Sequence, residues 1–154
     1  MPGADLQLDV RESLPFRAGS AVEMYMEHFF EHLSYPGDAD ALLRECHRVL
    51  SPQGVLSIGV PDAAMILDDY CRQDLAKFEM LRSTVHPDWC TTPMHHVNYL
   101  FRQQGEHHYA YDFQTLSVVL EAAGFINIRR RDWDPHRDSE SRRWGTLYVD
   151  CIRP

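Results

Sequence analysis

The sequence predicts a three-layer α/β domain, on three observations. Period-two or continuously apolar runs of strand length alternate with helical patterns along the chain. A helical stretch lies between two of those strands, which favours a right-handed parallel crossover. The 154 residues suffice for one domain, spanning 1–154, with one sizeable core.

In residues 4–10, ADLQLDV, Leu6, Leu8 and Val10 alternate with Asp5, Gln7 and Asp9, which predicts a short first strand stopped before Pro15. Residues 21–26, AVEMYM, alternate Val22, Met24 and Met26 with Glu23 and Tyr25 and predict a second. Asp38 is expected to cap a helix over 39–50, in which Leu42, Leu43, Cys46, Val49 and Leu50 share one face. Pro52 and Gly54 in SPQG are expected to end it and turn the chain into a buried apolar strand, VLSIGV at 55–60, closed by Pro61.

Residues 62–82 predict helix in two pieces, and residues 83–98, STVHPDWCTTPMHHVN, predict irregular structure within a variable insert over about 83–110. Asp112 is the expected cap of a helix through FQTLSVVLEAA, with Leu116, Val119, Leu120 and Ala123 on one face and Gly124 as its stop. FINIRRR and TLYVDCI are the last two strands. The polar loop 132–145 between them is long for a hairpin and is expected to be mobile.

Composition narrows the function classes. The net charge of −8 and a single lysine, Lys77, argue against sequence-independent nucleic-acid binding, which needs clustered positive charge. Arg129, Arg130 and Arg131 are the one basic cluster, and Asp132, Asp134 and Asp138 offset it. No apolar run approaches the roughly 20 residues of a membrane span, and no signal-peptide layout opens the chain. Cys46, Cys71, Cys90 and Cys151 form no C-x-x-C pair, so reduced thiols and a cytoplasmic location are the expectation.

His28, Glu31 and His32 spell H-x-x-E-H, the reversed zinc-peptidase signature. In those enzymes the motif lies within a helix and needs a third ligand elsewhere. Here it follows a strand. Beside it, the runs LDVRESLPF, SAVEMYMEHFFEHL, LLRECHRVLSPQGVLSIGVPD and YDFQTLSVVLEAAGF stand in order. Together they resemble the C-terminal two-thirds of a class I S-adenosylmethionine-dependent methyltransferase, and most closely the type 11 group. That group shows an Asp before LPF, a strand leading into xHVLEHL, then E-x-x-RVLKPGG and a later LLEEAGF. The resemblance covers residues 5–152 and explains His28, Glu31 and His32 as the end of the HVLEHL segment.

The resemblance implies a Rossmann-like methyltransferase fold truncated at the N-terminus, mostly parallel with an antiparallel C-terminal strand. The complete fold has strand order 3-2-1-4-5-7-6. The implied cofactor is S-adenosylmethionine. Asp9 would accept from its adenine amino group, with the backbone of Val10 or Arg11 at the ring edge. Glu27 and His28 would face its methionyl end or the acceptor, and His28 is the candidate catalytic base. The competing readings are a polar strand-end residue for Asp9 and a structural histidine for His28.

His86, Trp89, Cys90, His95, His96, His107 and His108 form a surface loop or an acceptor pocket, in which His95 and His96 are the candidate substrate contacts. A metal held there is the last of the three readings, because no pair has zinc spacing and adjacent histidines rarely ligate one ion together, and no metal ligand is assigned.

Two departures matter. The family's D-x-G-x-G-x-G turn and the following ribose-binding acid have no counterpart, since none of the eight glycines forms a G-x-G. Ala21 and Val22 stand where the family has Phe-Asp. Without the strands that normally separate them, residues 6–10 should either pair beside 21–26 or leave that edge to a homodimer or partner chain. Three functions follow: methyl transfer to an unknown small-molecule acceptor, a non-catalytic methyltransferase-like scaffold, and, remotely, a zinc hydrolase.

Overall fold

The computed structural model describes residues 5–154. Its sheet has four strands: β1 (Ala21–Glu27), β2 (Leu50–Pro61), β3 (Ile126–Arg131) and β4 (Thr146–Ile152). Their order is β1-β2-β4-β3. β1 and β2 are parallel, and β4 runs antiparallel to both β2 and β3, so three strands share one direction and only the C-terminal strand opposes them.

Helix α1 (Gly37–Val49) makes the crossover from β1 to β2. It buries Leu42, Leu43, Cys46 and Val49, the face expected from their spacing. Helix α5 (Phe113–Ala122) buries Leu116, Val119 and Leu120 in the same core. The sheet contributes alternate residues to it: Leu56, Ile58 and Val60 from β2, paired with Cys151, Val149 and Leu147 of β4. Burial of each such aliphatic side chain stabilises the fold by about 1.5–3 kcal/mol. The opposite face is polar. It carries Tyr25 and Glu27 from β1, Ser57 and Gly59 from β2, Tyr148 and Asp150 from β4, and Arg131 from β3.

Between β2 and α5 the chain makes three helices, α2 (Ala63–Arg72), α3 (Leu75–Thr84) and α4 (Pro93–Arg102). They enclose a second apolar cluster of Ile66, Phe78, Leu81 and Val97. The excursion leaves and rejoins the sheet at one place, because Asp62 bridges Tyr111 and the Ala63 amide donates to the Tyr111 carbonyl at 3.0 Å. No helix among the described residues is long and apolar enough to cross a membrane.

The structure corrects five expectations. Residues 5–10 form no strand, and Ala4 lies outside the described residues. Leu6 and Leu8 are exposed with no sheet beside them, and Asp9 closes a local turn by accepting from the Arg11 amide. Pairing of residues 6–10 beside β1 therefore does not occur. Asp38 lies in the first turn of α1 rather than at its cap, and its amide donates to the Ser34 hydroxyl.

SPQG does not separate α1 from its strand: β2 begins at Leu50 and runs through it as an irregularity, with Gln53 at φ 64°. Residues 93–102, the first six of them expected to be irregular, form α4, started by the Thr92 cap and Pro93. Loop 132–145 is anchored rather than mobile. Asp138 is fully buried at its side chain and accepts from Arg131, from the Asp134 amide and from the Tyr25 hydroxyl.

Candidate functional site

At the carboxyl ends of β1 and β2 the chain turns sharply. His28 takes a left-handed φ of 48°, uncommon for a residue with a Cβ, and its amide donates to the Gly59 carbonyl at 2.8 Å. A 3₁₀ turn, Phe30–His32, follows. It sends Phe30 into the main core against Tyr111, ring centroids 5.2 Å apart, and draws Glu31 inside with it. The Glu31 carbonyl accepts from the amides of His108 and Tyr109, which holds the return from α4 against this turn.

Glu31 is 2% exposed, and neither carboxylate oxygen has a hydrogen-bond partner. Three imidazoles surround it: His28 Nδ1 at 3.6 Å, His32 Nε2 at 3.8 Å and His107 Nε2 at 3.8 Å from Oε1. Burial raises its pKa to about 7. His28 is shifted the other way, to about 3, by burial and then by the Arg142 charge. It stays neutral at physiological pH, and its Nε2 meets the Thr146 hydroxyl at 2.8 Å. A group of that acidity is a weak proton acceptor near neutrality.

His28 and His107 line a cavity of about 70 Å³ under α2–α4, together with Met65, Leu81, His86 and Arg142. An open cleft of about 570 Å³ lies nearby, where Asp9, Val10, Phe29, His32 and Asp38 meet. His32 and His107 pack edge to face, centroids 4.9 Å apart, one on each space.

The residues expected from the sequence divide between these places. Asp9 and Val10 line the open cleft. The Asp9 carboxylate is held by the Arg11 guanidinium through bonds of 2.9 and 2.6 Å, which lower its pKa to about 2. Glu27 points into the polar face instead. It accepts from Tyr148 at 2.7 Å and from the Ser139 hydroxyl at 2.6 Å. Burial works against its charge, but those bonds prevail and its pKa falls. The structure does not bring Asp9 and Glu27 together.

His95 is exposed and turned toward Thr91. His96 is buried against Phe78, with its Nδ1 2.8 Å from His86 Nδ1. Neither lines the central cavity, where His86 and His107 stand. Glu31's burial and the parts taken by His107, Arg142, Ser139 and Tyr148 leave no mark in the periodicity, because each depends on contacts between distant segments.

Among the described residues, two sets of side chains bring candidate ligand atoms within 4.8 Å of one another: Glu31, His32 and His107, and His86, Cys90 and His96. The arrangement of the sheet is the more telling feature. The last strand enters antiparallel between its two predecessors, so β1-β2-β4-β3 reproduces the 4-5-7-6 half of the order 3-2-1-4-5-7-6. The family described as "Methyltransferase domain" matches residues 3–58. This is a class I methyltransferase fold.

Solved methyltransferases share that fold at low identity. A chain from the complex between the Haloferax volcanii Trm112 methyltransferase activator and a methyltransferase aligns over 97% of this chain, at 14% identity and a TM-score of 0.60. An S-adenosylmethionine-dependent methyltransferase from Archaeoglobus fulgidus aligns over 96%, at 16% identity and 0.56. One from Thermotoga maritima aligns over 97%, at 14% identity and 0.55. The chain spans 61%, 66% and 63% of those proteins respectively. No curated protein matches it by sequence.

The methyltransferase fold implies S-adenosylmethionine. Val10 and Phe29 line the open cleft as apolar walls, but both Asp9 oxygens are already held by Arg11. Glu27 does not fit the methionyl end, because its carboxylate is already engaged by Tyr148 and Ser139.

Proposed function

We propose that the chain serves S-adenosylmethionine-dependent methyl transfer to a small-molecule acceptor. The observation that carries this reading is the cavity at the carboxyl ends of β1 and β2, where open α/β sheets of this kind hold their ligands. When bound, the cofactor supplies an electrophilic methyl group on a sulfonium. The chain's own part is to position the acceptor and exclude water. Met65, Leu81 and Val85 give the cavity an apolar wall, and neutral His28, braced by Thr146, orients a polar group of the acceptor. At about 70 Å³ the cavity is far below the roughly 300–1,000 Å³ of ligand pockets, so it takes only the reacting end of an acceptor.

Calorimetric titration with S-adenosylmethionine and S-adenosylhomocysteine tests the reading. It expects saturable heat at one ligand per chain, weakened by Asp9→Ala. A second reading, a non-catalytic methyltransferase-like scaffold, is favoured by the commitment of Glu27 to Tyr148 and Ser139. It expects no heat with either compound. Cofactor contacts can also come from a partner chain along the outer edge of β1, which has no neighbouring strand among the described residues, in which case heat appears only with the partner present.

A further inference from the structure

We propose that Glu31, His32 and His107 bind one divalent first-row transition-metal ion, with zinc the best match to the donor set. One carboxylate oxygen and two imidazole nitrogens lie within 4.8 Å of one another. Ligands about 2.0–2.1 Å from a tetrahedral zinc are roughly 3.4 Å apart. The two Glu31–histidine separations of 3.8 Å therefore need to close by only a few tenths of an ångström.

The second observation is the unpartnered carboxylate. Both Glu31 oxygens are buried without a donor, an expensive state for an acidic group unless a cation or proton compensates. His107 cannot supply the proton. Its Nδ1 lies 2.6 Å from the Leu100 carbonyl, which only accepts, so the ring proton sits on Nδ1. The Nε2 lone pair then faces the Glu31 oxygen, acceptor against acceptor, at 3.8 Å. A metal ion between them resolves that opposition. A backbone carbonyl fixing the tautomer of a ligating imidazole is also the usual outer support of such sites.

Nitrogen and oxygen donors in this ratio suit zinc and its neighbours rather than magnesium or calcium, which take oxygen shells. Three protein ligands leave a fourth position for water. The set differs from the inverted peptidase arrangement, in which both motif histidines bind and the glutamate is the base. Here Glu31 is a ligand, His28 stands outside the set, and His107 comes from a distant segment. In the rival cluster, His86 and His96 already spend a ring nitrogen each on one another at 2.8 Å.

Cobalt(II) titration of the full chain, followed by visible absorption and by zinc competition, tests the assignment without reference to methyl transfer. The expected result is one ion per chain with ligand-field bands, displaced by zinc. Binding should fall at least tenfold in Glu31→Gln and His107→Ala, and stay unchanged in His86→Ala. His32 is 31% exposed at its side chain, so His32→Gln keeps the fold testable and should also lose the ion. No cobalt absorption with the unmodified chain overturns the proposal. So does binding that survives His32→Gln, or a thiolate charge-transfer band that places the ion at Cys90.

Discussion

The Tyr148 hydroxyl reaches the Glu27 carboxylate at 2.7 Å by lying across Gly59, the residue paired with both of them. A Cβ on Gly59 would sit 2.8 Å from Tyr148 Cε1 and 3.4 Å from Glu27 Cγ. Gly59→Ala should therefore displace the Tyr148 ring and destabilise the fold by about 1–3 kcal/mol. Tyr148→Phe, which keeps the ring, should cost about 1 kcal/mol. Urea denaturation measures both. If Tyr148→Phe leaves stability unchanged but alters cofactor binding, then Glu27 belongs to the cofactor after all.

Asp138 ties loop 132–145 to the sheet through Arg131, with a contact of 2.7 Å from Nη2. Asp138→Ala leaves the guanidinium with Asp150, 3.2 Å from Nε, as its one carboxylate beside the Ser57 hydroxyl and the Asp132 carbonyl, and should cost near the lower end of about 3–5 kcal/mol. Burial opposes the Asp138 charge, but the bonds from Arg131, the Asp134 amide and Tyr25 outweigh it and lower the pKa. A depressed carboxyl stabilises the fold above its unfolded value of about 3.9, and the benefit is lost as pH falls through the lower folded value. The acid limb of the stability curve should accordingly be shallower in Asp138→Ala.

His86 gives a pH effect in a different window. Burial, and then the neighbouring His96, bring its pKa down to about 4. The unfolded chain takes up this proton near pH 6.5 and the folded chain does not. Stability should therefore decline as pH falls from about 6.5 to about 4. His86→Leu should flatten that part of the curve, and an unchanged slope would refute the assignment.

Among the described residues β1 has no neighbour on its outer side, and Val22 is 79% exposed there. Such edges recruit strands from other chains. Light scattering across a concentration series should show self-association, reduced by Val22→Lys. A monomer at every concentration would leave the edge to a different partner or to none.

Much of this architecture is legible in the sequence. The faces of α1 and α5 follow from Leu42, Leu43 and Cys46 and from Leu116, Val119 and Leu120, since 3.6-residue periodicity requires only local information. Residues 6–10 show the limit of the method, because alternation signals a strand only where a sheet edge is ready to receive it. Helix α4 was hidden by its mixture of imidazole and aromatic groups, although Thr92 and Pro93 carry an ordinary start signal. At the site, His28, Glu31 and His32 are visible as a motif. Their meeting with His107 is not, because it depends on how an excursion of nearly fifty residues, 63–110, returns to the turn it left.

Because Asp62 and Tyr111 are held side by side, the α2–α4 excursion leaves and rejoins the sheet at one point, with a second tie where the Glu31 carbonyl takes the His108 and Tyr109 amides. Its apolar cluster is separate from the one that the sheet shares with α1 and α5. Substitutions inside that separate cluster should therefore be felt among its own three helices before they reach the strand ladder.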